Sequence, residues 1–333
     1  MANMRGYILR KLVYLIVTFF VIISFNFALF RIMPGDPAAV LVPKTGDEEL
    51  KRQIREEFHL NDDLHVQFYY YLKDTLSLDF GISTGVRKFA PITDILGPAT
   101  INTLILVGIG TVLAILIGVS IGKFAAWRRG KPADAISMSF ALVFYSMPTF
   151  LFALLLLMIF AGELRWFPVG KPYGELPGDP TPPDWRDMNI GEKLISRGYH
   201  LVLPLIAFTL EIMAEFALIM RNSLTDVLTE DYITTARAKG VSNKSILNDH
   251  AMRNALLPVV TVMAISVGWV LGGTIMVEMV FSYDGLGMMT WEAVVNLDYP
   301  LLQALFLIMA IAVLVANFVA DIIYLYLDPR VKA

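Results

Sequence analysis

The stretch of sequence that decides the fold is Asp231-Tyr-Ile-Thr-Thr-Ala-Arg-Ala-Lys-Gly240, which lies between two strongly apolar regions. A polar run continues from it as far as Pro258. In hydrocarbon, each charged side chain of this segment would cost several kcal/mol. The segment therefore lies in water on one side of a membrane, and a charged helical region held there between membrane spans requires a partner outside the bilayer.

The composition places the chain among multi-pass membrane proteins. Of its 333 residues 56% are hydrophobic and 17% are charged, and the mean hydropathy is +0.61, whereas about a quarter of the residues of a soluble domain are charged. The net charge of -3 indicates neither a nucleic acid nor an acidic partner. The absence of cysteine excludes disulfides, thiolate metal sites and cysteine catalysis.

Six apolar segments are long enough to cross the roughly 30 Å hydrocarbon core as helices of about 20 residues. They cover residues 8–30, 101–127, 135–161, 201–220, 256–281 and 301–327. The first is too long for a cleaved signal peptide and is predicted to be retained. The sequence therefore predicts an all-α membrane protein with six transmembrane helices. It divides into an N-terminal span (1–31), an extracytoplasmic loop domain (32–100) and a core (101–329) that contains the polar segment 229–258.

The distribution of Lys and Arg orients these spans, because basic residues concentrate in cytoplasmic loops. Basic residues outnumber acidic ones at the N terminus, in the turn 123–131, in the segment 221–253 and in the C-terminal tail. In the opposite loops, acidic residues are in the majority. Both termini and the polar segment are therefore predicted to be cytoplasmic.

Two sizeable loops face outward. Residues 32–100 open with a Pro34-Gly35-Asp36-Pro37 turn, followed by an amphipathic helix at about 47–58 and a second helical stretch at 65–78. The other loop, 162–200, is rich in Pro, Gly and Asp and is predicted to be irregular. Either loop could dock a soluble protein, and the first is preferred for its helical pattern.

The polar segment is predicted to form two helices. Thr229 is the expected N-cap of the first, Lys239 closes it, and Gly240 suits the left-handed position after it. The second begins at Ser242 and leads into the fifth span. Ala236 and Ala238 flank Arg237 and would allow close approach of another protein, so the pair could lie in a groove on a partner. An ordinary solvated loop helix is the alternative.

This segment resembles the "EAA" loop of ATP-binding-cassette (ABC) importer permeases, in the dipeptide, oligopeptide and nickel branch. Thr234 and Thr235 replace Glu-Ala of the general motif, and Pro258 lies further from Gly240; both departures are habitual in that branch. Other parts of the chain carry the same resemblance: Pro34-Gly-Asp-Pro37, Leu78-Asp-Phe-Gly-Ile-Ser83, Gly272-Gly-Thr-Ile-Met-Val-Glu278-Met-Val-Phe281, Gly285-Leu-Gly287, Asp298-Tyr-Pro300 with Gln303, and Asn317 through Asp321 and Tyr324 to Asp328-Pro-Arg330. Tyr283-Asp284 departs from the family, which usually has a proline there.

The resemblance implies a type I ABC importer permease in a prokaryotic cell membrane. It implies a second homologous permease, in a heterodimer, together with two ATPase subunits that bind ATP and Mg and an external solute-binding protein. The cargo would be di- or oligopeptides, with oligosaccharides or nickel complexes as alternatives. The residues expected to couple the chain to the ATPases are Tyr232, Thr235, Ala236, Arg237, Lys239, Gly240, His250, Arg253, Asn254 and Pro258.

The residues themselves indicate that this chain does not hydrolyse ATP. Its Gly-Lys pairs, Gly122-Lys123, Gly130-Lys131 and Gly170-Lys171, lack both the earlier glycine and the following Ser or Thr of a phosphate-binding loop. No catalytic residue, metal site or cofactor is predicted, and His59 and His65 beside Asp62 and Asp63 are interpreted as a solvated cluster.

Polar residues inside the spans are candidates for function. Glu211 and Glu215 share one helix face, where like charges repel, and are expected either to line the translocation path or to face the bundle structurally. Glu278 is expected to brace the loop 281–287. Asn317 and Asp321 are expected to form hydrogen bonds between helices. Gly268, Gly272 and Gly273 are interpreted as positions of close helix packing or of a hinge, with packing preferred.

Two rival functions account for less of the sequence. In an ion-coupled secondary transporter, Glu211, Glu215 and Asp321 would bind protons or cations, but the six spans show no inverted repeat and the cytoplasmic helices would stay unexplained. An intramembrane enzyme is disfavoured, because the sequence has no Ser/His pair, His-Glu-x-x-His motif or paired catalytic aspartates.

Overall fold

The computed structural model describes residues 2–32, 52, 55, 56, 59, 61–179, 184–273 and 275–327. Its α-helices are α1 (Ala2–Ile32), α2 (Leu64–Leu76), α3 (Ile92–Trp127), α4 (Pro132–Ser146), α5 (Thr149–Leu156), α6 (Ile190–Val227), α7 (Asp231–Ala238), α8 (Met252–Gly273), α9 (Ile275–Val280), α10 (Leu286–Val295) and α11 (Tyr299–Leu327), with a short turn at Asn243–Ser245 and π-helical stretches at Leu157–Glu163 and Ile246–Ala251. In the part that the structure describes, the regular elements are all helical, as predicted.

All six predicted spans fall on helices. Among the described residues, α1, α3, α6 and α11 are each long and apolar enough to cross a membrane. Helix α4 with α5 and its π-helical continuation is long and apolar enough only as a bent pair, which is the form of a broken span or of a re-entrant loop. Helix α8, with 22 residues, occupies most of the predicted span 256–281. Helix α9 (Ile275–Val280) lies in the remainder of that span.

The third predicted span is bent rather than straight. Its two halves, Pro132–Ser146 and Thr149–Glu163, meet at an angle of 98°. Met147, which precedes Pro148, has an extended backbone with φ -82° and ψ 130°. A residue before proline is disfavoured in the helical region, and the proline has no N–H to continue the ladder. The hydrophobicity of residues 135–161 identifies an apolar segment long enough to span, but it does not show that the helix breaks within that segment.

The first outer loop agrees with its prediction where the structure describes it, and the second differs. The helix expected at residues 65–78 is present as α2, whereas the Pro34–Pro37 turn and most of the helix expected at 47–58 lie outside the described residues. The loop 162–200 is not irregular throughout, because α6 already begins at Ile190. A capping box starts α6: the Glu192 amide donates to Asn189 Oδ1 at 2.9 Å, and the Asn189 amide donates to Glu192 Oε2 at 2.8 Å.

Helices α3 and α6 pack with their backbones in close contact through glycines of α3. A Cβ atom on Gly118 would overlap the Met213 carbonyl oxygen and lie 2.7 Å from the Phe216 Cβ. One turn further on, a Cβ on Gly122 would overlap the Ala217 carbonyl oxygen. Small residues four apart allow this approach between membrane helices. This contact was not anticipated from the sequence, where Gly268, Gly272 and Gly273 were preferred; the side-chain surroundings of those three lie outside what the structure describes.

A buried carboxylate joins the outer domain to the core. Asp298, immediately before α11, is fully buried. Its oxygens accept hydrogen bonds from the Ser83 and Thr84 hydroxyls and from the amides of Thr84, Gly85 and Val86, at 2.5–3.1 Å. The loop 83–86 is thereby fixed to the start of the last span. Both segments were quoted for their resemblance, but their contact was not expected from the sequence.

Candidate coupling segment and translocation path

The first helix of the polar segment, α7, ends as predicted and begins one residue later. Its N-cap is Glu230 and not Thr229, because the Thr229 hydroxyl donates to the Asp226 carbonyl at 2.7 Å, a bond that belongs to the preceding turn. Gly240 has φ +76°, the left-handed conformation expected after a helix. The Val241 amide closes the turn on the Ala236 carbonyl at 3.2 Å.

Helix α7 presents one apolar face to its own chain and a polar face to the outside. Ile233 and Ala236 are buried in a cluster with Phe216, Met220 and Ile246. The exposed residues of the helix and its end are Asp231, Tyr232, Thr234, Thr235, Arg237, Ala238, Lys239 and Gly240. Ala236 therefore does not lie on the exposed face, where the sequence placed it, and the surface open to close approach consists of Ala238 and Gly240.

The second part of the segment leads without a break into a membrane span. Ser242 caps it, with its hydroxyl accepting from the Ser245 amide at 3.3 Å. The π-helical stretch Ile246–Ala251 follows and continues as α8. Ile246 and Ala251 face inward. The predicted coupling residues His250, Arg253, Asn254 and Pro258 are all exposed.

Three side-chain bonds attach the coupling segment, residues 229–258, to the membrane helices. The Asn254 amide donates to the Tyr232 hydroxyl at 2.8 Å and links α7 to α8. The Lys123 ammonium donates to Asn248 Oδ1 at 2.7 Å and links the π-helical stretch to α3. The Ser223 hydroxyl donates to the Ala255 carbonyl at 2.9 Å and links α8 to α6. A displacement of α7 would therefore be passed to three helices.

A buried ion pair supports the same end of the bundle. Arg221 donates from Nε to Asp134 Oδ1 at 2.7 Å and from Nη2 to Asp134 Oδ2 at 2.8 Å. This fork geometry is the strong form of an Arg–carboxylate contact. It joins α6 to the start of α4. The ion pair was not predicted from the sequence. The only signal for it is Asp134, a single acidic residue in the first turn of the otherwise apolar helix α4.

Glu211 and Glu215 lie one turn apart on α6 in different surroundings. Glu211 is half-buried and hydrogen-bonds to Thr149, the first residue of α5 after the break in the third span. Glu215 is exposed on the surface of the chain. The expected repulsion between the two carboxylates is reduced because Glu211 interacts with Thr149 while Glu215 is exposed to the surroundings. Through Thr149, Glu211 also contacts the bend in the third predicted span.

The carboxylate of Glu278 connects neighbouring segments through hydrogen bonds. It is fully buried and accepts from the Thr103 hydroxyl at 2.7 Å and from the Met288 amide at 2.9 Å. A Cβ on Gly285 would come within 2.5 Å of both the Glu278 carboxylate and the Thr103 hydroxyl, so this glycine is required by space. The carboxylate thereby holds the loop 281–287 against α3.

The remaining predicted polar residues lie apart from these sites. Asp321 forms an ion pair with Lys11 at 2.7 Å and so joins α11 to α1, while Asn317 is exposed. His59 contacts Asp62 at 2.9 Å and stacks on Tyr70. Within the described ranges, no three His, Asp or Glu side chains form a group suited to a metal ion.

Two family models match this chain. The model described as "Binding-protein-dependent transport system inner membrane component" matches residues 114–333, and its N-terminal companion matches residues 4–86. The chain belongs to this family. The resemblance stated from the sequence is thereby confirmed, and the coupling segment of this permease lies inside the matched region.

Individual relatives and one solved structure agree with this assignment. The permease is 36% identical over 331 residues to the "probable peptide ABC transporter permease protein y4tP" of Sinorhizobium fredii, covering 99% of this chain and 100% of the relative. It is 32% identical over 329 residues to the "oligopeptide transport system permease protein AppB" of Bacillus subtilis, covering 99% and 100%. An inward-facing structure of the MetNI methionine ABC transporter matches with a TM-score of 0.54 and 16% identity, covering 70% of this chain and 96% of that chain. This structural likeness shows that the permease has the ABC importer permease fold.

Proposed function

We propose that the permease forms part of the path by which an ATP-driven importer moves di- or oligopeptides across a prokaryotic cell membrane. The names of its relatives, which refer to peptide and oligopeptide transport, support this cargo. The observation that carries the proposal is the polar outer face of α7 in a segment that is bonded to three membrane helices, α3, α6 and α8. A ligand screen on the cognate binding protein tests the cargo. Selective binding of oligosaccharides or of nickel complexes would show that these, and not peptides, are the cargo.

The energy and the other subunits come from separate chains. We infer that two ATPase subunits, carrying ATP and Mg, contact the coupling segment on the cytoplasmic side, where both termini also lie. A second homologous permease completes the path as a heterodimer, and an external binding protein delivers the solute. Transport by the purified chain alone on an ion gradient would instead favour a secondary transporter.

Closure of the ATPases would push the coupling segment and rock the spans between outward- and inward-facing states as a rigid body. The bonds of Tyr232 to Asn254, of Lys123 to Asn248 and of Ser223 to Ala255 support this transmission. The exposed residues proposed to contact the ATPase groove are Arg237 and Lys239 through their charged groups, Gly240 through close approach, and Thr235, His250, Arg253 and Pro258.

Gly240→Val is expected to abolish stimulation of ATP hydrolysis by the binding protein while the complex still assembles. Gly240 has φ +76°, and a Cβ there would meet nothing within 4 Å. The cost is therefore backbone strain, about 1–2 kcal/mol, which shifts the turn between α7 and Ser242. The measurement is ATPase activity of the reconstituted complex with and without the loaded binding protein.

Gly130→Val is the matched control for this experiment. Gly130 has φ +75°, is equally unobstructed and lies in the turn between α3 and α4. It should retain stimulated hydrolysis despite the same strain. If the loaded binding protein stimulates ATP hydrolysis normally in Gly240→Val, Gly240 is not required for coupling.

We further propose that Glu211 and Glu215 line the translocation path and attract the amino group of a peptide. The contact of Glu211 with Thr149 at the bent span places it beside a break in regular structure, where polar groups of membrane proteins usually line cavities. The exposure of Glu215 on the single chain leaves it free to face the second permease.

Glu211→Gln and Glu215→Gln, singly and together, are expected to lower the apparent transport affinity for peptides with a free amino group by about tenfold, the effect of losing a charge-assisted contact. N-acetylated peptides should be less affected. Glu163→Gln, at an exposed position on another helix end, is the control. Unchanged affinity and substrate range in the double variant would show that the pair is structural.

A further inference from the structure

A cavity of about 320 Å³ lies between the coupling helix and the membrane helices. The end of α3 forms one wall through Trp127 and Arg129, and the end of α6 forms another through Thr225 and Leu228. The coupling segment contributes Arg237 and Asn243. At this point the cavity lies between α7 and the ends of α3 and α6.

The lining of this cavity is chemically suited to an anion. Arg129 and Arg237 supply two guanidinium groups, and Asn243 supplies an amide. None of the described residues that line it is acidic. Guanidinium groups bind phosphate through paired, charge-assisted hydrogen bonds, so two of them in one cavity favour a phosphate group over a neutral ligand.

A buried hydroxyl gives independent support for a ligand. Thr225 lines the cavity and is 7% exposed, and its Oγ1 has no hydrogen-bond partner among the described residues. Leaving a buried polar group unpaired costs about 1–3 kcal/mol. The Oγ1 atom has almost no accessible surface, so a shift of the Thr225 side chain toward the cavity would let a ligand oxygen accept its proton and remove that cost.

The position of the cavity indicates where the phosphate comes from. Helix α3 is a membrane span that ends at Trp127, and tryptophan concentrates at the level of the lipid headgroups. The indole of Trp127 and the side chain of Leu228 make part of the lining apolar. A headgroup phosphate with its adjoining glycerol and acyl carbons matches such a lining better than a free ion, which needs polar contacts on every side.

We propose that this cavity binds the phosphate group of an anionic phospholipid from the leaflet on the side of the coupling segment. Arg129 holds the phosphate oxygens together with Arg237, whose remaining guanidinium N–H groups stay available for the proposed ATPase contact. Thr225 donates to one phosphate oxygen, and Trp127 contacts the lipid. Because Arg237 belongs to the coupling helix and Arg129 to α3, the bound lipid would connect α7 to the membrane helices as a fourth attachment.

The test uses the intact transporter complex purified in a neutral detergent. Native mass spectrometry would measure how much phosphatidylglycerol it retains compared with phosphatidylcholine. Arg129→Gln and Thr225→Val are expected to lower phosphatidylglycerol binding, by about tenfold for the arginine. Arg128→Gln is the matched control, because the Arg128 guanidinium lies over the Phe124 ring, 4.6 Å from its centroid, and does not line the cavity.

A second arm separates a lipid from a free anion. Inorganic phosphate and glycerol phosphate are added at millimolar concentration to the complex that carries phosphatidylglycerol, and they should displace little of it. Efficient displacement that depends on Arg129 and Thr225 would overturn the assignment to a lipid in favour of a soluble phosphate. An equal loss of lipid in Arg128→Gln and Arg129→Gln, or no loss in Arg129→Gln and Thr225→Val, would overturn the site itself.

Discussion

Asp298→Ala is expected to lower the melting temperature of the complex sharply and to reduce the amount of permease in the membrane. The fully buried carboxylate accepts hydrogen bonds from both hydroxyls and three amides of the loop 83–86. Each donor that stays buried without a partner costs about 1–3 kcal/mol, so the total loss is about 3 kcal/mol or more. The measurement is the amount of permease in isolated membranes and the melting temperature of the purified complex.

Asp79→Ala is the matched control for this substitution. Asp79 lies just before the same loop and accepts a 3.0 Å hydrogen bond from the Gly81 amide, but it is exposed. Water can replace that bond, so the effect should stay within about 0.5 kcal/mol. Equal melting temperatures for Asp298→Ala and the unaltered permease would show that the buried contacts of Asp298 do not stabilise the fold.

The stabilisation by Asp298 should also depend on pH. Burial alone would raise the pKa of Asp298, but the hydrogen bonds from Ser83 and from the amides of Val86, Thr84 and Gly85 outweigh it and lower the pKa below its ordinary value. A carboxylate with a lowered pKa stabilises the fold fully above its ordinary pKa and loses that effect as the pH falls through the folded value. The difference in melting temperature between the unaltered permease and Asp298→Ala should therefore stay constant near neutral pH and shrink below about pH 4.

Gly118→Ala is expected to separate α3 from α6 and to lower the melting temperature of the complex sharply. The added Cβ would overlap the backbone carbonyl oxygen of Met213, which cannot move aside as the end of a flexible side chain can. Overpacking of a tight interior costs about 1–3 kcal/mol, occasionally more. Since α3 and α6 carry both the glycine contacts and two of the attachments of the coupling segment, stimulated ATP hydrolysis should fall as well.

Gly108→Ala, on the same helix, separates this packing effect from a change in helix propensity. A Cβ on Gly108 would meet nothing within 4 Å, and alanine is favoured over glycine within a helix by about 1 kcal/mol. This variant should be unchanged or slightly more stable. The close-packing explanation fails if both substitutions shift the melting temperature by the same amount.

Much of this permease was predictable because hydrocarbon excludes charge. The long apolar segments located the spans, since no other arrangement satisfies their backbones in lipid. The charges of Asp231, Arg237 and Lys239 placed α7 in water. Gly240 marked the helix end, because a left-handed residue there favours glycine. These features follow from local composition and backbone conformation, so they needed no knowledge of the partners in space.

The long-range contacts required the tertiary structure. Nothing near Asp298 in the sequence indicates that it binds the loop 83–86, and nothing near Gly118 shows which helix approaches it. The burial of Ala236 likewise depends on where α6 and the π-helical stretch lie.

The sequence by itself thus determined the membrane fold, the six spans and the polar segment between the fourth and fifth of them, because these depend on transfer of residues from water to hydrocarbon and on local backbone preference. Only the tertiary structure decided the buried face of α7 and the cavity beneath it. Those features arise where helices distant in the chain meet, and their energies depend on distances that composition and spacing do not contain.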